Sequence, residues 1–182
     1  MAVPPTPPPP PPPGYFERRA AIVAAKVAAA LDCDLVPLVC IGEPWAVRSV
    51  GSAEDHVADQ VRAALSLVAQ QDVPRVLVAY EPVWAIGEGG RAAEPSDVVG
   101  VLRAIRSAVA RLTPGSGLRG VLYGGSVTTD NAAALLELEE LDGLFVGRAA
   151  WSADGFTALL EIVGRAVTGR ATLSPTHEQR SR

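Results

Sequence analysis

Four short apolar runs, each followed by a segment of helical periodicity, restrict this chain to few architectures. The run at 76–80 is continuously apolar and too short for a helix, which is typical of a strand buried on both faces. Strands that alternate with helices favour an α/β fold, in which right-handed crossovers make the strands parallel. The predicted strands are residues 35–41, 73–80, 119–123 and 141–146.

One helix is predicted before the first strand and one after each strand. Apolar side chains recur at helical spacing over residues 15–31, 53–68, 95–112, 129–138 and 156–163. Ser52, Pro95 and the pair Thr129 and Asp130 are residue types that favour helix starts, so we expect helices to begin there. Functional loops then belong at the carboxyl ends of the strands.

The two ends of the chain differ in composition from the region between them. Proline dominates residues 1–13 and is unbroken from Pro7 to Pro13. Proline cannot donate a backbone hydrogen bond, so we expect a disordered arm of polyproline II character. It is either a ligand for an SH3-like groove or, as we favour, an unstructured extension. Residues 168–182 are polar and are expected to form a flexible tail, which leaves 14–167 as the folded unit.

Composition excludes several classes of protein. The net charge is −4 and basic residues form no stripe, so nucleic acid is a poor candidate partner. No apolar run approaches the roughly 20 residues of a membrane-spanning helix. Cys33 and Cys40 lack the spacing of metal ligands, so we expect no metal site. Two isolated cysteines are typical of reduced thiols in a cytoplasmic protein. We also expect no cofactor.

The most informative polar residue is Glu81, at the end of the second predicted strand. Pro82 turns the chain away from the sheet, and Trp84 and Ile86 place large apolar side chains on the loop that follows. Glycines at 87, 89 and 90 loosen the far end of this loop. A carboxylate beside such a loop indicates a general base under a closing lid. The alternative is a surface glutamate after an edge strand.

Two glycine turns follow the last two predicted strands. They are Gly124-Gly125-Ser126 and Gly147-Arg148, and each precedes a predicted helix. Glycines allow backbone amides to approach an anion, and a helix N-terminus favours negative charge. Two such turns on neighbouring strands indicate one shared phosphate site, although a single glycine pair more often only makes a turn.

Three segments, in the same order, resemble the triosephosphate isomerase family. Residues 80–87 resemble its catalytic-base and lid segment, 123–127 its seventh-strand phosphate loop, and 39–43 the end of its fifth strand. The resemblance begins at about Gly14 and implies the second half of a (β/α)8 TIM-type barrel, with four parallel strand–helix units that correspond to strands five to eight.

The resemblance also implies an activity and its residues. Glu81 would move a proton between adjacent carbons of a small phosphorylated sugar through an enediol, which converts dihydroxyacetone phosphate to glyceraldehyde 3-phosphate. A homodimer without cofactor or metal is implied. The phosphate donors would be Gly87, Ser126, Gly147 and Arg148. The lid would run from Pro82 to Gly90 and include Val83, Trp84, Ala85, Ile86 and Gly87.

The sequence departs from the family pattern at several positions. The family's catalytic Lys and His have no counterpart, and the only lysine, Lys26, falls on a predicted helix. The lid ends Gly-Glu-Gly-Gly at 87–90 and the last loop reads Gly147-Arg148, as in a divergent branch that isomerises four-carbon ketose phosphates such as erythrulose phosphate. Four strands cannot close a barrel. A tetrulose-phosphate isomerase and a truncated, non-catalytic half-barrel that binds a partner therefore remain alternatives.

Overall fold

A computed structural model describes residues 15–86 and 90–173 of the chain. Strands and helices alternate along this part as the sequence predicts. The helices are α1 (Tyr15–Asp32), α2 (Trp45–Arg48), α3 (Ala53–Ala64), α4 (Pro95–Leu112), α5 (Ala132–Leu136) and α6 (Ala153–Leu173). The strands are β1 (Leu38–Ile41), β2 (Leu77–Tyr80), β3 (Gly120–Tyr123) and β4 (Gly143–Leu144). Short 3₁₀ segments lie at Gln70–Arg75, Val83–Ala85 and Arg148–Ala150.

The four strands form one parallel sheet in the order β1-β2-β3-β4. At their carboxyl ends Ile41, Tyr80, Tyr123 and Leu144 are aligned across the sheet. Each strand therefore ends at the same edge, and the loops that leave the strands cluster there. The prediction of a partial α/β barrel is confirmed.

The helices cover one face of the sheet and form the core with it. Side chains that alternate along the strands, among them Val39, Val78 and Val121, pack against the helices in one buried cluster. The residues between them, Leu38, Leu77 and Leu122, are outside that cluster and are partly or fully exposed. The sheet thus has one covered face and one open face.

Helix starts follow the sequence signals in part. Pro95 opens α4, and the Asp97 carboxylate accepts a hydrogen bond of 3.1 Å from the backbone N–H of Glu94. Ser52 is at the N-cap position of α3, but its side chain makes no capping bond. The predicted start at Thr129 and Asp130 is wrong, because a turn occupies these residues and α5 begins only at Ala132.

Strand β4 is shorter than predicted because a side chain replaces part of its backbone ladder. The Asp142 carboxylate accepts a 2.6 Å hydrogen bond from the Val121 N–H, which a longer β4 would have engaged with a carbonyl. Arg106 holds the same carboxylate from helix α4 at 2.8 Å. The paired strand therefore begins only at Gly143.

The final helix extends further than the sequence indicates. Helix α6 continues to Leu173, so residues 168–173 are helical although they were expected in a flexible tail. The remainder of that tail and the proline-rich arm lie outside the described residues. Among the helices that the structure describes, none has the length and hydropathy to cross a bilayer.

Candidate active site

Two strands end in a glutamate, and the surroundings of the two carboxylates differ. Glu43 follows β1 and is fully buried, whereas Glu81 follows β2 and is half-buried. Only Glu81 lines the cavity at the carboxyl ends of the strands. A carboxylate that must exchange protons with a ligand needs this access. The structure therefore singles out Glu81 as the candidate base.

The cavity has a volume of about 530 Å³ and opens beside the loops that follow β2, β3 and β4. It brings together four of the predicted site residues, Glu81, Ser126, Gly147 and Arg148. Gly87, the fifth, lies outside the described residues. Other lining residues are Ala85, Ile86, Gly124, Gly125, Val127, Thr128, Phe145, Val146, Ala149 and Trp151.

Glu81 is positioned by its backbone and by its neighbours. Its N–H donates to the Ile41 carbonyl at 2.7 Å, which extends the β1–β2 pairing by one bond. A Cβ atom at Gly124 would lie 2.7 Å from Glu81 Cγ and 2.9 Å from Phe145 Cδ1. Position 124 must therefore lack a side chain for Glu81 and Phe145 to keep their places.

Cys40 on the open face is a direct neighbour of Glu81. Desolvation raises the pKa of its thiol to about 12, and the hydrogen bond and negative charge of Glu81 act in the same direction. The residue is exposed on the open face. The thiol stays protonated at neutral pH and donates to the carboxylate instead of competing as a nucleophile.

The predicted lid begins with a rigid segment. Pro82 and Ala85 are buried, and Val83–Ala85 forms a single 3₁₀ turn. Val83 and Ile86 are exposed. Beyond the undescribed residues, the Arg91 N–H donates to the Trp84 carbonyl at 3.3 Å. The two ends of this loop therefore meet at Trp84.

Glu43 anchors the start of this segment from inside the protein. Its carboxylate accepts hydrogen bonds from the Tyr80 hydroxyl at 3.0 Å and from the Trp84 indole N–H at 2.7 Å. Arg48 donates to it at 3.1 Å and balances its charge. Burial, followed by the charge of Glu43, raises the pKa of Tyr80, which keeps the phenol protonated as a donor. The anchor connects β1, α2, β2 and the predicted lid.

A second set of contacts joins Trp84 to helix α4. The guanidinium carbons of Arg48 and Arg91 lie 4.6 Å and 5.1 Å from the centre of the Trp84 ring. Arg91 also donates to the Asp97 carboxylate at 3.0 Å. Burial alone would raise the pKa of Asp97, but the bonds from Glu94 and Arg91 and the charges of both arginines together lower it.

Both glycine turns line the cavity. Within the described residues, the N–H groups of Ser126 and Gly147 donate to no other group. The Ser126 carbonyl is held by the Asn131 side chain at 2.8 Å. A Cβ on Gly147 would meet nothing within 4 Å, so its backbone faces open space. Free amides from two adjacent loops are the donors that an anion requires.

The predicted contribution of a helix N-terminus to the first turn is wrong. Helix α5 begins at Ala132 and has only five residues, and a turn at Thr128–Asn131 separates it from Ser126. In this turn Asn131 Oδ1 accepts from the Thr128 N–H at 2.8 Å. Gly147 is instead followed directly by the 3₁₀ segment.

The side chains that line the cavity include no lysine and no histidine in the part of the chain described. Lys26 is exposed on α1, and His56 is half-buried on α3, where its ring lies 3.3 Å from the Gln60 amide. No cluster of potential metal ligands was found among the described residues. Among the described residues that line the cavity, Arg148 is the one with a cationic side chain.

Comparisons with known proteins identify the family. The model of the family described as "Triosephosphate isomerase" matches residues 14–163. The L-erythrulose-1-phosphate isomerase of Mycolicibacterium smegmatis is 45% identical over 137 residues, which are 75% of this chain and 50% of that protein. The triosephosphate isomerase of Caldanaerobacter subterraneus subsp. tengcongensis is 40% identical over 74% of this chain and 55% of its own length.

The chain belongs to the triosephosphate isomerase family. The resemblance drawn from the three sequence segments is thereby confirmed. A further relative, the L-erythrulose-1-phosphate isomerase of Mesorhizobium japonicum, is 42% identical over 78% of the chain and 54% of that protein. The chain thus spans about half the length of the curated relatives it matches, in agreement with the four strands of its sheet.

Sequence reasoning missed the anchor around Glu43 in this member of the triosephosphate isomerase family. Glu43 stood in one of the recognised segments, but its partners Tyr80 and Trp84 lie 37 and 41 residues further along the chain. The available signal was that Glu43, like Glu81, lies close after a predicted strand, with only Gly42 between it and Ile41. Arg48 was missed because the short helix α2 was not predicted.

Proposed function

We propose that this chain carries the proton-transfer half of an aldose–ketose phosphate isomerase site, with Glu81 as the base. The observation that supports this most is the single cavity that Glu81 shares with the free amides of Ser126 and Gly147. A phosphate bound to those amides would place the rest of a short sugar next to the carboxylate. This arrangement suits proton abstraction beside a carbonyl.

In the proposed reaction Glu81 removes a proton from the carbon next to the carbonyl group of a ketose phosphate. The electrons form the enediol carbon–carbon double bond, and the carbonyl oxygen takes up a proton. Glu81 then returns its proton to the former carbonyl carbon while the hydroxyl on the neighbouring carbon gives up its proton and becomes the aldehyde oxygen. This released proton balances the one that the carbonyl oxygen took up. Closure of the segment from Pro82 to Gly90 would exclude water and protect the enediol.

Glu81→Gln tests the assigned base, because an amide cannot accept the proton. We expect ketose phosphate conversion, followed by NMR, to fall at least 100-fold, in line with the usual contribution of general-base catalysis. Glu139→Gln is the matched control, since Glu139 is exposed and does not line the cavity. Conversion that Glu81→Gln leaves unchanged would remove Glu81 from the mechanism.

A four-carbon substrate is the second candidate. It is favoured by the similarity to two proteins named L-erythrulose-1-phosphate isomerase and by Arg148 in the cavity wall. Comparison of kcat/KM for L-erythrulose 1-phosphate and dihydroxyacetone phosphate distinguishes the two substrates. If Arg148 selects the larger sugar, Arg148→Gly will lower the ratio of the two values. An unchanged ratio would exclude Arg148 from substrate choice.

A non-catalytic half-barrel is the candidate from another class. The absence of lysine and histidine from the described cavity wall favours it, because the carbonyl oxygen then lacks the donors that stabilise its developing charge. Under this alternative the purified chain binds a partner or another copy of itself and does not convert sugar phosphates. Conversion that depends on Glu81 would exclude it.

A further inference from the structure

Gly42, the first residue after β1, lies against the backbone of Glu81. The register of β1 and β2 ends at Ile41 and Tyr80, so Gly42 is just beyond the paired strands. A Cβ atom at position 42 would overlap the carbonyl group of Glu81 and lie 3.1 Å from the Pro82 nitrogen. The two backbone segments are therefore as close here as a residue without a side chain permits, and a displacement of Gly42 would move Glu81 as well.

Backbone hydrogen bonds on either side of this contact join the same two segments. The Glu81 N–H donates to the Ile41 carbonyl at 2.7 Å, and the Val83 N–H donates to the Glu43 carbonyl at 3.1 Å. Gly42 is the middle one of the three residues that support the Glu81 backbone. In the described part of the chain no backbone hydrogen bond joins Gly42 to β2, so another element must set its position.

The side chain of Gln60 on α3 binds both backbone polar groups of Gly42. Gln60 Oε1 accepts a hydrogen bond from the Gly42 N–H at 2.9 Å, and Gln60 Nε2 donates to the Gly42 carbonyl at 3.2 Å. A primary amide offers an acceptor and a donor side by side, so one side chain can satisfy both groups of one residue. These bonds span 18 residues of sequence and connect α3 to the end of β1.

His56 favours this orientation of the Gln60 amide. His56 Nε2 lies 3.3 Å from Gln60 Nε2, and an imidazole nitrogen without a proton can accept the second amide hydrogen. The two side chains are one helical turn apart, and both are half-buried beside the core residues Val57 and Val61. A flip of the amide would turn Nε2 toward the Gly42 N–H and lose all three contacts. The amide is thus fixed by helix α3 before it contacts Gly42.

We propose that Gln60 is a positioning residue for Glu81. Through Gly42 it fixes the backbone from which the Glu81 carboxylate reaches the cavity, although Gln60 itself does not line that cavity. An error of about 1 Å in the position of a reacting group can lower a rate roughly 100-fold. The effect of Gln60 on proton transfer rests on the proposed function, whereas its effect on the position of Glu81 does not.

Gln60→Met tests the effect on proton transfer. Methionine has the length and about the helix propensity of glutamine, but it cannot replace the two bonds to Gly42. We expect kcat for ketose phosphate conversion to fall about tenfold or more and KM to change less than about twofold, because the proposed phosphate amides are on other loops. Gln60→Glu keeps an acceptor for the Gly42 N–H, so its kcat should be intermediate. Gln71→Met is the control, since Gln71 is exposed and precedes β2. A kcat of Gln60→Met equal to that of the parent would contradict the proposal.

Alkylation of Cys40 by iodoacetamide tests the position of Glu81 without catalysis. The Cys40 thiol is hydrogen-bonded to Glu81, so displacement of the carboxylate should make the thiol react faster. We expect Gln60→Met to raise the alkylation rate at least about twofold in the parent, as for groups in contact, and not to raise it further in Glu81→Gln. Equal increases in the two backgrounds would show that Gln60 acts on Cys40 by another route and would overturn the proposal.

The two measurements together separate this proposal from the proposed function. If the parent chain converts no sugar phosphate but the alkylation rates couple Gln60 to Glu81, the positioning role stands and the proposed function fails. If Glu81→Gln abolishes conversion while Gln60→Met changes neither kcat nor the alkylation of Cys40, the proposed function stands and the positioning role is wrong.

Discussion

At the scale of single residues, Glu43 and Glu81 occupy similar positions after neighbouring strands and differ in solvent access. The Glu43 carboxylate is saturated by Tyr80, Trp84 and Arg48, so it holds structure together. Glu81 accepts a hydrogen bond from Cys40 and lines the cavity. Burial and hydrogen bonding, rather than residue type, therefore separate the structural carboxylate from the one proposed as the base.

Glu43→Gln should destabilise the chain. The variant keeps an acceptor for Trp84 but loses the charge that pairs with Arg48 inside the protein, which costs about 2 kcal/mol. Urea unfolding followed by tryptophan fluorescence measures the change. Glu139→Gln should leave the midpoint unchanged because Glu139 is exposed. A Glu43→Gln midpoint equal to that of the parent would show that the anchor adds no stability.

The rate at which Cys40 is alkylated should depend on the carboxylate of Glu81. Because the pKa of Cys40 is raised to about 12, its alkylation by iodoacetamide should be very slow at pH 8. Glu81→Gln removes the charge and alters the hydrogen bond that raise this pKa, so alkylation should become faster, although desolvation remains. Peptide mass spectrometry measures the alkylation of Cys40 separately from that of Cys33. An unchanged Cys40 rate in Glu81→Gln would contradict their contact.

Gly124→Ala should impair activity more than stability. Its Cβ would lie too close to Glu81 Cγ and Phe145 Cδ1, and both side chains would have to move. Gly164→Ala is the matched control, since a Cβ there meets nothing within 4 Å and alanine favours the helix by up to about 1 kcal/mol. Activity that survives Gly124→Ala in full would show that the position of Glu81 tolerates displacement.

At the scale of elements, the alternation of strands and helices was predictable because buried parallel strands and amphipathic helices have distinct periods. The pairing of β4 was not, because Asp142 competes for the Val121 N–H only once the chain is folded. The start of α5 was misplaced for a similar reason: Thr128 and Asn131 form a turn through side-chain bonds. Local signals find elements, and long-range hydrogen bonds set their ends.

The N-terminus of α4 should contribute to acid sensitivity. The pKa of Asp97 is lowered from its ordinary value of 3.8, so its contribution to stability is complete above the unfolded-state value and is lost as pH falls through the lower folded value. Asp97→Asn should flatten the dependence of the unfolding midpoint on pH below about 4. Asp55→Asn is the control, because Asp55 is exposed on α3. A pH dependence retained in full by Asp97→Asn would contradict this contribution.

At the scale of the whole molecule, the family and the half-barrel were both predictable, because each segment that carries the resemblance lies within four strand–helix units. The cavity could be anticipated in outline, since Glu81 and both glycine turns follow strands of one parallel sheet. The exposure of apolar side chains on α1 and α6 required the structure, because exposure depends on what packs nearby.

The most direct measurement is incorporation of deuterium from D2O into a ketose phosphate by the 182-residue chain, followed by NMR. It detects proton abstraction by Glu81 even when little aldose is released. We predict exchange at the carbon next to the carbonyl, lost in Glu81→Gln and retained in Glu139→Gln. Exchange that is absent from the parent chain, or equal in Glu81→Gln, would contradict the assignment of Glu81 as the base.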